Sequence, residues 1–158
     1  MTLSAKSTKA NCLPLPAVII LSILVVGTLD LTAAYIDFYI ASGKNPFTIV
    51  PKYISSAVLG MGLHYIIAAI FTIFFFLIYP RLGELKSRRF LLGILYGIFM
   101  WSVMRFIVVP ASNAPLQPPI EWDKALRAIS ILIVMIGLPL SFIAYAYYKS
   151  IRTKDSTR

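Results

Sequence analysis

Reactive and metal-binding side chains are scarce in this sequence, whose 158 residues include one cysteine, one histidine and six acidic residues. The single cysteine, Cys12, excludes a disulfide within the chain and is expected to be a free thiol, with palmitoylation left open. One histidine, one cysteine and scattered carboxylates do not assemble a zinc or di-iron site. The sequence also has no P-loop, GxGxxG or GxSxG motif. We therefore expect no metal, no cofactor and no enzymatic activity.

Charged residues are also few. They make up 13% of the chain, against roughly 25% in a soluble domain. Hydrophobic residues make up 59%, which excludes a typical cytosolic enzyme and a disordered chain. The net charge is nevertheless +9, so the chain is either a nucleic-acid binder or a membrane protein. The apolar share favours the membrane, and short loops and tails offer no aqueous basic surface for a nucleic acid.

Four apolar stretches reach the roughly 20 residues that a helix needs to cross a bilayer. Gly43, Pro46, Pro80 and Pro110 separate them, and none alternates as a β-barrel strand would. We predict an all-α, integral membrane four-helix bundle over residues 17–148, between a tail of residues 1–16 and a basic tail of residues 149–158. The predicted spans are 17–42, 52–79, 90–109 and 124–148.

Lysine and arginine are unequally divided between the two sides of such a bundle. The two tails and the loop between the second and third spans share one side and hold ten of the 15 basic residues. Cytoplasmic segments carry this excess in membrane proteins, so both termini are predicted to be cytoplasmic. The first apolar stretch exceeds the roughly 7–15 residues of a signal-peptide core, which predicts an uncleaved first span.

Four ionisable residues fall inside the predicted spans: Asp30, Asp37, His64 and Arg105. Each charge at the bilayer centre costs about 2.5–3.5 kcal/mol on insertion scales, so these groups should pair, protonate or face water. With a rise of about 1.5 Å per residue, Asp30 and His64 reach a similar depth near the midplane. Asp37 and Arg105 lie nearer the outer surface. The depths predict a buried polar centre of Asp30 with His64 and an ion pair of Asp37 with Arg105.

Small residues in the last three predicted spans recur at spacings that favour close helix packing in lipid. Four glycines are predicted to pack against neighbouring helices: Gly60, Gly93, Gly97 and Gly137. Pro139 is expected to leave the carbonyl of Met135 without its usual helical donor.

A resemblance to a known family is carried by the strings GTLDLTAAYI, LHYIIA, YPRLGELKSRRFLLGILYGIFMWSVM, VVPASNAP and IGLPLSFI. Together they resemble a family of bacterial four-span inner-membrane proteins with no established reaction and, more distantly, the YagU-like (DUF1440) inner-membrane proteins. The resemblance covers most of residues 27–143. It implies location in the bacterial inner (plasma) membrane and the polar positions Asp30, His64, Pro110 and Pro139. The family is expected to carry asparagine where this chain has Arg105, and a longer, glycine-containing insertion before the histidine.

Two functions remain open for the Asp30–His64 centre. In the first, which we favour, a non-enzymatic membrane protein binds or moves a proton, an ion or a small solute, because a carboxylate and an imidazole can exchange a proton near neutral pH. In the second, a structural or accessory protein uses these residues only for helix packing, or for assembly with a membrane partner or another copy. A membrane enzyme or redox subunit is a third class, and haem held by two histidines would require a second copy of His64.

Overall fold

The computed structural model describes residues 13–43, 54–108, 110 and 120–155, with the main chain alone at 41, 54–57, 154 and 155. Four helices in this part are long and apolar enough to cross a membrane, at Leu15–Ile40, Val58–Arg81, Arg89–Val108 and Trp122–Thr153. The all-helical, four-span part of the prediction is confirmed. Cys12 and the first lysines of the chain lie outside the described residues.

The first helix, α1, covers Leu15–Ser42. Prolines at its start are tolerated because the N–H groups of a first turn have no helical acceptor. It ends at Gly43, whose φ of 64° is left-handed and whose N–H donates to the carbonyl of Tyr39 at 2.9 Å. Glycine adopts this conformation at little steric cost, so the predicted end of the first span is also the observed one.

The second helix, α2, covers Ile54–Ile78 and gives way at Pro80 to a 3₁₀ turn, Tyr79–Arg81. A second 3₁₀ segment, Gly83–Ser87, is called the connector here, and it leads to α3, Arg89–Val103. A π-helical turn at Met104–Val108 continues α3. These ends differ from the predicted ones by one or two residues, which is the usual scatter of helix boundaries.

The fourth span has three parts: α4 at Trp122–Leu132, a π-helical turn at Ile133–Gly137, and α5 at Leu138–Asp155. Pro139 cannot donate a hydrogen bond four residues back to Met135, as the sequence suggested. The π turn lies directly before this break, and the N–H of Leu138 donates five residues back to Ile133. The helix also runs past residue 148, so the first part of the predicted basic tail is helical.

The four spans surround one apolar core. Helix α1 packs against α2 and the fourth span, and α3 packs along the fourth span. Aromatic side chains join α2 to α3: the Tyr96 hydroxyl donates to the carbonyl of Phe71 at 2.6 Å, and the Phe75 and Tyr96 ring centroids lie 4.6 Å apart. Side chains that are almost fully buried include Val26, Phe75, Phe76, Tyr79 and Leu140. Large apolar side chains also cover the outward faces, as membrane-facing helices require.

Three of the four predicted packing glycines meet where α3 crosses the π turn of the fourth span. A Cβ atom at Gly97 would lie 2.6 Å from Cγ1 of Ile133, and one at Gly137 would collide with the carbonyl oxygen of Gly93. We call Gly93, Gly97, Gly137 and Ile133 the glycine seam. At Gly93 and Gly137 the two backbones approach so closely that no side chain fits between them.

Gly60 differs from these three. A Cβ atom there would have no described atom within 4 Å, so the predicted packing role has no counterpart in the described part of the chain. The physical reason is its position in the first turns of α2, where the neighbours Val58 and Leu59 are 64% and 74% exposed.

Candidate functional site

Gly27 lies at the contact between α1 and α2, where an added side chain would require the Tyr65 ring to shift. A Cβ atom at Gly27 would lie 2.8 Å from Cε1 of Tyr65, whose ring fills the space beside the glycine. Gly27 lies three residues before Asp30 on α1, so the two share a helix face. Because Gly27 has no side chain, His64 and Tyr65 of α2 can lie against that face of α1.

His64 contacts α1 through a single ring nitrogen. Its Nε2 lies 3.1 Å from the carbonyl oxygen of Gly27 and 3.7 Å from Oδ2 of Asp30. A carbonyl only accepts, so Nε2–H is the donor and the neutral ring carries its hydrogen on Nε2. The distance to Asp30 is that of an ion pair when the ring is protonated, and it is too long for a hydrogen bond.

Tyr65 forms a second polar link beside the histidine. The Thr28 hydroxyl donates to the carbonyl of Leu24 at 2.6 Å, which leaves its oxygen as the acceptor for the Tyr65 hydroxyl at 2.9 Å. The His64 and Tyr65 rings stand edge to face, with centroids 5.8 Å apart. We call Gly27, Thr28, Asp30, His64 and Tyr65 the polar seam.

The polar seam is partly open. The exposed fraction is 23% for the His64 side chain and 17% for the Asp30 side chain. The described residues hold no group of three His, Cys, Asp or Glu side chains that could bind a metal ion. The sequence-predicted pair Asp30 and His64 is therefore brought together, and its role stays a prediction.

Asp37 has a different cationic neighbour from the one predicted. Its Oδ1 lies 3.4 Å from Nη1 of Arg127, on α4, and both side chains are exposed. The predicted partner, Arg105, lies in the π turn after α3 and has interactions of its own. The order of the helices in the bundle explains this partner. Helix α1 packs against the fourth span, which contains Arg127, and α3, which precedes Arg105, packs along that same span.

Depth matching could have made Arg127 a second candidate partner for Asp37. Asp37 lies five residues before the end of α1, and Arg127 lies five residues after the start of α4. The sequence analysis paired Asp37 with Arg105, which lies at a similar depth, and did not consider Arg127. Gly27 and Tyr65 were also missed, although the spacing from Gly27 to Asp30 and the position of Tyr65 beside His64 were visible signals.

Comparison of this chain with protein-family models, with curated proteins and with solved structures finds no match. The resemblance to four-span inner-membrane proteins therefore stays a prediction made from the sequence.

Proposed function

We propose that this chain is a multi-pass protein of the bacterial inner membrane, with both termini cytoplasmic, and that its polar seam binds or moves a proton, an ion or a small solute. The observation that carries this proposal is the 3.7 Å separation of His64 Nε2 and Asp30 Oδ2 in the contact between two apolar helices. The orientation is supported by the ten basic residues that fall on one side of the four spans.

The proton is the species that the chemistry favours. A pair of Asp30 and His64 that holds one proton is neutral overall, whichever residue carries it, whereas loss of that proton leaves an uncompensated carboxylate in lipid. The proton can therefore pass between the two groups, whose nearest atoms lie 3.7 Å apart, without a large movement of the helices. Partial exposure of both side chains gives a carrier access to them.

The second function, a structural or accessory role, is favoured by a different observation. His64 Nε2 donates to the backbone of Gly27, and Tyr65 donates to Thr28, so two bonds tie α2 to α1 without any titration. In this alternative the histidine only fixes how the two helices cross, and the chain acts by assembling with a partner or a second copy.

Proton flux in reconstituted vesicles separates the two functions. We expect the full chain to carry protons down a pH gradient, and Asp30→Asn and His64→Gln to reduce the flux to that of protein-free vesicles. Asp37→Asn is the matched control, because it removes a carboxylate from the same helix at an exposed position. The same vesicles loaded with sodium or potassium test the movement of other cations.

The variants must first be shown to insert and to keep their helical content. Undiminished flux in both folded variants would contradict the proposal, as would a wild-type chain that carries neither protons nor the tested cations. Crosslinking with mass spectrometry tests the alternative, which expects a steady partner that His64→Gln fails to recover.

A further inference from the structure

A cleft opens at the end of the bundle opposite the Asp37–Arg127 pair, between the connector and the last turns of α5. Its volume is about 760 Å³, within the roughly 300–1,000 Å³ of sites that bind small molecules. The cleft lies level with Arg81 and Thr153, the ends of two helices that are long and apolar enough to cross a membrane.

The lining of the cleft is strongly basic. Lys86 and Arg88 face it from the connector and its end, Lys149 and Arg152 face it from α5, and Glu84 is the one acidic residue of the lining. None of these four cations takes part in an ion pair within 4 Å among the residues that the structure describes. Cations from two separate elements repel each other across the cleft, and an anion bound between them would remove that repulsion.

A buried hydroxyl belongs to the same lining. Tyr79 is 1% exposed as a whole residue, and its hydroxyl makes no hydrogen bond with any described residue. Its ring stacks on that of Tyr148 at 5.1 Å, and the Tyr148 hydroxyl donates instead to the carbonyl of Phe76 at 3.2 Å. Buried hydroxyls are nearly always hydrogen-bonded, so this one gains a partner if a small shift of the ring turns it toward an acceptor in the cleft.

A fixed guanidinium stands beside the cleft. The Cζ atom of Arg89 lies 3.9 Å from the ring centroid of Tyr145, a residue of the lining. Stacking on an aromatic face orients a guanidinium while its N–H groups still point outward in its plane, which suits recognition of phosphate oxygens.

The connector also contributes to an apolar groove. Leu82 and Leu85 line a groove of about 210 Å³ between α2 and α3, together with Phe74 and Phe99. Residues 82–88, which are the connector and one residue on each side of it, therefore present cations to the cleft and leucines to the groove. A phospholipid has the same division, with an anionic phosphate at the membrane surface and an acyl chain below it.

We propose that the cleft binds the phosphate of an anionic phospholipid, with the Tyr79 hydroxyl and the four cations as its ligands and an acyl chain in the groove. In the orientation proposed above, on which this step rests, this end of the bundle faces the cytoplasmic leaflet, which presents anionic lipids to basic segments. The inference is independent of the polar seam, because none of the polar-seam residues lines the cleft.

The test is lipid retention by the purified full chain, measured by native mass spectrometry after reconstitution in vesicles. Vesicles of phosphatidylcholine with one-quarter phosphatidylglycerol are compared with vesicles of phosphatidylcholine alone. The cleft variant is Arg88→Gln with Lys149→Gln. Its control is Lys124→Gln with Arg127→Gln, which removes the same charge from exposed positions at the opposite end.

We expect wild type and control to retain phosphatidylglycerol, and the cleft variant, which loses two cationic ligands, to retain it at least tenfold more weakly, since one lost charge-assisted hydrogen bond alone produces about a tenfold change. Tyr79→Phe keeps the stacked ring and is expected to weaken retention by a smaller factor without changing the fold. Equal losses in cleft and control variants would contradict a specific site, as would equal retention of phosphatidylcholine. Displacement of the lipid by inorganic phosphate at millimolar concentration would assign the cleft to a soluble anion and overturn the lipid proposal.

Discussion

The glycine seam and the polar seam join neighbouring helices by opposite means. At the glycine seam, main-chain atoms of α3 meet those of the fourth span, and no side chain intervenes between Gly93 and Gly137. At the polar seam one glycine, Gly27, admits two large polar side chains from α2. The first contact is buried and inert, whereas the second is partly open and contains groups that can change charge. The difference suggests that one interface holds the bundle together and the other can take part in chemistry.

The largest effect is expected for Gly137→Ala in the glycine seam. The added methyl group would meet the carbonyl oxygen of Gly93, and the helices must separate to admit it. We expect the free energy of unfolding in mixed micelles to fall by about 1–3 kcal/mol, the usual cost of overpacking. Gly60→Ala is the matched control, and it should leave stability unchanged or raise it by up to about 1 kcal/mol through helix propensity. Equal losses at the two glycines would show that the seam is not a tight contact.

An intermediate effect is expected for Tyr65→Phe in the polar seam. The phenylalanine ring still fills the space beside Gly27, but the hydrogen bond to Thr28 is lost. We expect unfolding to become easier by about 0.5–1.5 kcal/mol, the net worth of one hydrogen bond, and proton flux to fall far less than in Asp30→Asn.

This variant tests whether the polar seam has two separate parts, a structural hydrogen bond between Tyr65 and Thr28 and a proton-handling pair of Asp30 and His64. If Tyr65→Phe abolished flux as completely as Asp30→Asn while the fold was kept, the division would be wrong.

The smallest effect is expected for Arg127→Gln. The Asp37 and Arg127 side chains are 40% and 51% exposed, and exposed ion pairs contribute about 0–1 kcal/mol. Unfolding curves in micelles should therefore shift little, and less at high salt. A loss as large as that of Gly137→Ala would show that the outer end of α1 depends on this pair.

Much of the bundle followed from the sequence, because each helix end carries a strong local signal. Gly43 and Pro80 stop α1 and α2 through backbone chemistry that depends on a few neighbouring residues. The contact of Asp30 with His64 followed from depth alone, because the depth of a residue in any helix that crosses a bilayer is counted along the same bilayer normal. The π turn before Pro139 did not follow, because the sequence shows a missing donor and not how the backbone responds to it.

The sequence could not predict which helices lie side by side in the bundle. Depth placed Asp37 at the same level as two arginines, and only the order of helices around the bundle selects Arg127. The same holds for Gly60 and Gly97, which have similar sequence surroundings but different neighbours in space. The basic cleft likewise depends on the connector and the end of α5 meeting, which no local pattern reveals.

The most direct test of the account is ¹⁵N nuclear magnetic resonance of the imidazole in reconstituted vesicles, because His64 is the only histidine and gives one set of signals. We expect a neutral ring with its hydrogen on Nε2, as the bond to Gly27 requires. The imidazole signals should change reversibly when the pH of the vesicles is changed, and this response should differ in Asp30→Asn and not in Asp37→Asn. A ring whose signals do not respond to pH and are indifferent to Asp30→Asn would contradict the proton-handling proposal and leave His64 as a packing residue.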